Sequence, residues 1–325
     1  MLDVAALGEA VIDFSQCGIG PMGNPAYEMN PGGAPANCVV AGARLGAKNA
    51  FLGMVGEDLF GHHIVQALKT VGIETGGLRY TQAGSTRLSF VSLDAQGERS
   101  FYFVPGNHAE RLLQPQEVAV ELIDQAKIFH VSCVYDAQDA GYRALLYAMD
   151  YAAAQGKILS CDPNYRPGRW PENDGYARAF YREILSRCHL IKVSEEEMHI
   201  ITGVPEEEVA RGAAELLQLG VEKKAVFVTL GKKGAYYATP QERGYVEGFA
   251  VEAVDTTGCG DAFMGAVHYH LCHAPQMPMA EMVRRANAVG ALCAMRRGAF
   301  DAMPDKETLE AFLQSQKELH TQGLL

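Results

Sequence analysis

The chain is predicted to be an α/β domain with a doubly wound, mostly parallel sheet, and three observations carry the prediction. Between about residues 115 and 230, short apolar runs alternate with longer runs of helical period, the rhythm of repeated βα units. The 325 residues are 48% hydrophobic, enough for one large core with helices on both faces of a sheet. Two early stretches, at about 13–30 and 78–104, break that rhythm, which predicts a small extra sheet built from inserted segments. Residues 1–325 are accordingly read as one domain, with the small sheet placed as a lid over a ligand crevice at the carboxyl edge of the parallel strands.

In chain order, residues 4–7 read as a buried strand and 11–14 as a second strand or its continuation. Gly, Pro and Asn crowd 18–30, as in an exposed excursion. A helix at 34–45 is closed by Gly46, a strand follows at 51–55, and a helix at 59–71 ends at Gly72. Residues 78–80, 87–93 and 100–104 alternate polar and apolar side chains, as an antiparallel patch with Ala95-Gln96-Gly97 as a turn. Strands are then expected at 128–131, 158–161, 190–193 and 226–230, with helices at 140–154, 177–185 and 209–219 between them. A hairpin at 234–246, a strand-like run at 249–254 and helices at 262–271, 279–295 and 306–313 complete the chain.

Composition narrows the function. A net charge of −11 speaks against nucleic-acid and anionic-membrane partners, and an anionic substrate would need local cations. The first nine residues carry Asp3 and no basic cluster, unlike a signal peptide, and no uncharged run reaches the ~18 residues of a membrane span. A cytoplasmic location and reduced thiols for the eight scattered cysteines are the expectation.

The most informative stretch is Asp255-Thr256-Thr257-Gly258-Cys259-Gly260-Asp261. Glycines opening a helix leave backbone N–H groups unpaired and converging, an anion hole aided by the helix dipole. A carboxylate at Asp261 beside such a hole makes sense if it takes a proton from a hydroxyl while the amides hold a phosphate. An unperturbed aspartate titrates near ~3.9, low for a base acting on an alcohol, and the hole is expected to lower it further. Asp261 would then chiefly orient the hydroxyl, with late proton transfer.

Other motifs have plain readings beside functional ones. Gly18-Ile19-Gly20-Pro21-Met22-Gly23 has dinucleotide-motif spacing but no helical run after it, so a loop is the better account. A P-loop is absent. Gly32-Gly33-Ala34-Pro35-Ala36-Asn37 is either a strand-to-helix turn or a close backbone approach to a ligand, with Asn37 as donor and acceptor. Asp162-Pro163-Asn164-Tyr165-Arg166 combines an acid, an amide and a guanidinium after a buried strand, where α/β ligands bind. Ser194 with Glu197 is a capping box that could also reach hydrated magnesium. Thr229-Leu230-Gly231-Lys232-Lys233-Gly234 suits either a turn or triphosphate contact. His268, His270, Cys272 and His273 do not share one helix face, which favours a helix end over a zinc site.

Together these motifs, with Gly8-Glu9-Ala10-Val11-Ile12-Asp13, resemble the PfkB or ribokinase family of sugar kinases over nearly the whole chain. Within it, the segments at 32–37, 162–166 and 192–197 look most like bacterial fructokinases. The resemblance implies a ribokinase-like fold and transfer of the ATP γ-phosphate to a sugar hydroxyl, with fructose as the leading sugar. It makes Asp261 the base and the amides of Gly258, Cys259 and Gly260 the phosphoryl hole. Substrate contacts would come from Asp13, Gly32, Gly33, Asn37, Asn164 and Arg166. ATP would lie along Lys192, Ser194, Thr229, Gly231, Gly234 and Asn287, with Mg2+ near Glu197 and a monovalent cation such as K+ at Asp255 and Thr257. Two residues depart from the family pattern. Cys259 stands where Ala is usual, and Ser194 where many members have the Asn of a magnesium motif. A homodimer through the lid is a further expectation. The alternatives are a kinase of 2-keto-3-deoxygluconate, ribose or a nucleoside, a non-catalytic sugar-binding regulator on the same fold, and a nicotinamide-dependent oxidoreductase.

Overall fold

A computed structural model describes residues 1–93, 99–166 and 174–321. The elements are β1 (Leu2–Leu7), β2 (Val11–Ile19), β3 (Pro25–Gly32), α1 (Ala34–Arg44), β4 (Asn49–Gly56), α2 (Leu59–Thr70), β5 (Glu74–Thr81), β6 (Arg87–Leu93), β7 (Arg99–Phe103), α3 (Val120–Gln125), β8 (Ala126–Ser132) and α4 (Ala140–Ala154). They continue with β9 (Ile158–Asp162), α5 (Asp174–Ser186), β10 (Leu190–Ser194), α6 (Glu195–Thr202), α7 (Val209–Leu217), β11 (Ala225–Thr229), β12 (Gly234–Ala238), β13 (Arg243–Glu247), α8 (Cys259–His273), α9 (Met279–Ala294) and α10 (Lys306–Thr321).

Nine strands form the main sheet in the order β13-β12-β11-β10-β9-β8-β1-β4-β5. The seven from β11 to β5 run parallel, and β12 and β13 add an antiparallel hairpin at one edge. From β1 the chain runs outward through β4 and β5, then returns to β8 and runs out the other way. The order therefore reverses between β1 and β8, and a crevice opens at the carboxyl ends of the strands there. Side chains alternate strictly between two cores. Val4, Ala6, Phe51 and Phe227 face α1, α2, α8, α9 and α10, while Ala5, Leu7, Leu52 and Val226 face α3 to α7. Burial on both faces is why these strands read as unbroken apolar runs.

The second sheet has the order β3-β2-β6-β7. Two antiparallel pairs are joined by a parallel pairing of β2 and β6, from Val11 against Arg87 to Ser15 against Val91. Three expectations need correction. The excursion at 18–30 is largely strand, because β3 pairs back onto β2. Residues 78–80 belong to β5 on the main sheet, where Gly77, Leu78, Arg79 and Tyr80 pair with β4. The run at 249–254 is not a strand; Phe249, Ala250, Val251 and Ala253 line a cleft instead. The expected turn at 95–97 lies outside the described residues. The glycine-spaced stretch at 18–23 falls at the β2–β3 connection, where the Gly20 amide donates to the Asn24 carbonyl, and no helix opens there.

The passage from main sheet to small sheet is pinned by one side chain. Asp58 caps α2 by accepting from the Gly61 amide at 2.8 Å, and it accepts from both the amide and the hydroxyl of Thr86 at 2.8 Å. The Gly56 amide in turn donates to the Thr86 hydroxyl at 3.0 Å. No helix among the described residues is long and apolar enough to cross a membrane.

Candidate active site

Five parallel strands end on polar residues at one edge of the sheet: Glu9 just past β1, Ser132 on β8, Asp162 on β9, Ser194 on β10 and Thr229 on β11. The α8 N-terminus enters this edge. Gly258 adopts φ 78°, the left-handed conformation that lets the chain turn into the helix. The Ala262 amide donates to the Gly258 carbonyl, and the Cys259 amide to the Thr256 carbonyl at 3.3 Å. The expected trio of free amides is thereby corrected. Cys259 already has an acceptor, and among the described residues Gly258, Gly260 and Asp261 hold the amides with no backbone acceptor. A Cβ on Gly260 would lie 2.7 Å from Lys192 Nζ, so the missing side chain is what lets an ammonium sit against the turn.

Lys192 belongs to a buried charge cluster. Its Nζ donates to Asp162 Oδ2 at 2.8 Å, and both side chains are more than nine-tenths buried. Burial opposes the charge on Lys192, yet Asp162 and Glu197 hold its pKa above the ordinary lysine value. Glu197 completes the capping box with Ser194, as expected, and also accepts the Tyr165 amide at 2.8 Å, which ties the 163–166 loop to α6. Burial, then the neighbouring Asp162, raises the pKa of Glu197. Asp162 Oδ1 accepts the Asn164 amide at 3.1 Å, and Asn164 takes a left-handed φ of 50° there.

Asp261 projects from the first turn of α8 and accepts from Asn37 Nδ2 at 2.7 Å. Asn37 Oδ1 is buried with no partner among the described residues, an unmet acceptor. The pKa of Asp261 rises to about 7 because burial disfavours its charge and Asp162 repels it, against the pull of Asn37, Lys192 and Arg166. That reverses the expectation that the amide hole would lower it. Desolvation and a second carboxylate set the direction.

The substrate-side candidates Asp13, Gly32 and Gly33 lie on the small sheet and at the entry to α1. Ser89 donates to Asp13 Oδ1, and a Cβ on Gly32 would lie 2.8 Å from Asp13 Oδ2, so the carboxylate rests on Gly32. Gly33 has φ 109°, and a Cβ there would come within 2.4 Å of the Glu9 carbonyl. Burial raises the pKa of Asp13 despite its bond from Ser89. Arg166 is exposed, and its charge favours the ionised forms of Glu9, Asp13 and Asp261.

On the other side of α8 lies an open cleft of about 1370 Å3. It is lined by all six expected nucleotide residues, Lys192, Ser194, Thr229, Gly231, Gly234 and Asn287, and ends inward at Cys259 and Gly260. Asn287 donates to the carbonyls of Val246 and Glu247 at 3.1 Å, so its amide braces the cleft wall. The expected cation residues sit behind α8, where Asp255 accepts from the Thr257 amide at 2.8 Å and the Gly298 amide at 3.2 Å. The four residues of the 268–273 segment separate: His268 meets Cys38 and, through Ser160, His130, whereas Cys272 and His273 turn to Asp3.

Sequence reasoning missed several parts of the site. Asp162 was readable in its motif as the acid but not as the partner of Lys192. Glu9, which accepts from the Ala34 amide at 3.0 Å and the Ser132 hydroxyl at 2.6 Å, was legible only as a member of the 8–13 motif, with no role assigned. The small residues Gly290, Ala291 and Ala294 of α9 in the cleft wall read only as helix.

The comparisons with known proteins identify the family. Residues 1–306 match the family described as pfkB family carbohydrate kinase. The chain belongs to the pfkB family of carbohydrate kinases. Such an enzyme is a phosphotransferase acting on an alcohol group, and the family match removes the oxidoreductase alternative. Fructokinase-1 of Oryza sativa subsp. japonica is 36% identical over 321 residues, covering 96% of this chain and 98% of its own. The structure of fructokinase with bound ATP from Xylella fastidiosa superposes with a TM-score of 0.85 at 31% identity, covering 98% of this chain and 100% of that one. A fructokinase double mutant from Vibrio cholerae O395, in a fructose, ADP and potassium ion bound form, gives 0.82 at 33% identity, with 95% and 97% covered. The ribokinase-like αβα architecture with its small second sheet is thus common to this pfkB chain and its neighbours.

Proposed function

We propose that this carbohydrate kinase is an ATP-dependent fructokinase that converts D-fructose to fructose 6-phosphate. The observation that carries the reading is the Asn37–Asp261 hydrogen bond at the α8 turn that lines the cleft, with Asn37 Oδ1 buried and unpartnered among the described residues. The names of the similar proteins support fructose as the sugar.

The roles follow from position. Asp13, Asn37 and the Gly32–Gly33 backbone hold sugar hydroxyls, with Asn164 and Arg166 closing the site from the 162–166 loop. The nucleotide lies along Thr229, Gly231 and Gly234, with its base against the small residues of α9 and its γ-phosphate at the free amides of Gly258 and Gly260. Lys192 offsets charge developing on the transferred group, since phosphoryl transfer needs alignment and neutralisation more than covalent help. Asp261 accepts the proton of the attacking hydroxyl, and a pKa near neutrality suits a general base.

Magnesium carried by the triphosphate would neutralise the phosphates. Both oxygens of Asp162 and of Glu197 already accept hydrogen bonds, so these acids fit a hydrated ion better than a directly bound one. Asp255 contributes buried negative charge between two loops, which fits a monovalent cation such as K+ at Asp255 and Thr257.

The small sheet acts as the lid in this reading, limiting water in the closed site. Exposed Ile19, Met22, Tyr102 and Phe103 make it the candidate dimer surface, in a cytoplasmic enzyme. Light scattering should give twice the 35.2 kDa chain mass, and a monomer at working concentration would oppose the pairing.

A coupled assay of ADP release over fructose, ribose, 2-keto-3-deoxygluconate and a nucleoside tests the function. Fructose is expected to give the highest kcat/KM. A higher value for another acceptor would reassign the substrate, and no product with any acceptor would point to a sugar-binding regulator.

A further inference from the structure

We propose that Cys259 and Cys293 form an oxidisable thiol pair at the inner end of the cleft, a modification site that shuts the catalytic turn when a disulfide joins them. Cys259 opens α8, is partly exposed and lines the cleft. Cys293 lies directly behind it on α9 and is fully buried. Both thiols attach to the same turn: Cys259 Sγ lies 4.0 Å from the Asp255 carbonyl, and Cys293 Sγ lies 3.6 Å from the Thr257 carbonyl. The two helices meet closely here, since a Cβ on Gly290, one turn before Cys293, would come within 3.2 Å of the Cys259 carbonyl. The two side chains also meet directly, as a hydrogen-bonded pair of thiols.

The other cysteines differ in access or partner. Cys17 is exposed, and Cys133 and Cys161 approach to 3.7 Å but are both fully buried. Only the 259–293 pair, among the described residues, combines a cleft-facing sulfur with a buried one behind it.

The chemistry needs a hydroperoxide. The Cys259 thiolate attacks the O–O bond of hydrogen peroxide, becoming a sulfenic acid as hydroxide leaves. The Cys293 sulfur then displaces water from that sulfenic sulfur. Two thiols and one peroxide thus give one disulfide and two waters. The new bond would pull on the segment between the free amides of Gly258 and Gly260, and displacing aligned groups by about 1 Å costs on the order of 10²-fold in rate. Protection by nucleotide rests on the proposed function; the disulfide itself does not.

The test treats the full-length protein with hydrogen peroxide, with and without ADP, and maps non-reduced peptides by mass spectrometry. Expected are a Cys259–Cys293 cross-link, a loss of activity of at least ~10-fold that dithiothreitol reverses, and slower loss with ADP present. Cys293→Ala should keep its starting activity and lose the reversible inactivation. The proposal is overturned if peroxide joins only other cysteines in the wild-type map, or if Cys293→Ala is inactivated reversibly at the wild-type rate. Activity before treatment reports on the kinase reading separately, and the peptide map decides the thiol pair even if that reading fails.

Discussion

Asp261→Asn is expected to keep the fold and lower kcat by at least ~10²-fold. The replacement is nearly isosteric, and its amide can still meet Asn37, so position survives while proton acceptance does not. The wild-type pH profile ties the loss to the carboxylate. With a pKa raised to about 7 by burial and Asp162, Asp261 is ionised above that pH and protonated below it. kcat/KM should therefore fall on the acid side of about pH 7, and that limb should vanish in the residual activity of Asp261→Asn. Stability should move the other way. A raised folded-state pKa means that the contribution of Asp261 to stability is present at low pH and lost as pH rises through about 7. Above that pH the uncharged variant should melt higher than the wild type. Near-normal turnover in Asp261→Asn, measured by ADP release, would remove Asp261 from the mechanism.

Lys192→Met should be the most destabilising substitution at the site. Removing one member of a buried ion pair costs about 3–5 kcal/mol, because the partner charge stays behind. Here Asp162 would be left beside Glu197 and Asp261 with its buried ammonium gone. Lys192 also restrains the pKa of Asp261, so the acid limb of any remaining activity should move to higher pH. Urea unfolding measures the stability term, and the double variant Asp162→Asn/Lys192→Met should regain part of it. A loss below ~1 kcal/mol, the scale of an exposed pair, would mean that the cluster is not the buried charge network described above.

Much of the main domain was legible because buried parallel strands and amphipathic helices have different periods. The helix expected at 140–154 has those bounds in the structure, and β8 to β11 each lie within two residues of their expected positions. The errors occurred where pairing decides. Residues 78–80 alternate like a half-buried strand, yet they lie on the outer strand of the main sheet, where one side has no neighbour and alternation is natural. The 18–30 segment is rich in turn formers but is held as strand by β2. The 249–254 run is apolar because it lines a cleft, and periodicity cannot separate that from a short strand.

The site divides in the same way. The motifs at 32–37, 192–197 and 255–261 were legible as turns at strand or helix ends, and the fold brings Asn37 to Asp261 and Lys192 to Gly260. Electrostatics were not legible. The rise of Asp261 to about 7 depends first on burial and then on Asp162, which is 99 positions away in sequence and adjacent only in the fold. The free amides likewise depended on one turn, in which Thr256 takes the Cys259 N–H.

The account's central claim is that Asp261 stands where a sugar hydroxyl meets the γ-phosphate. The most direct test is a single turnover with ATP labelled in the γ-phosphate, in the presence and absence of D-fructose, with the labelled product identified. The account predicts rapid transfer of label to the sugar as fructose 6-phosphate and only slow release of labelled inorganic phosphate without sugar. Label appearing as inorganic phosphate at the same rate with and without sugar, and in no sugar phosphate, would contradict it.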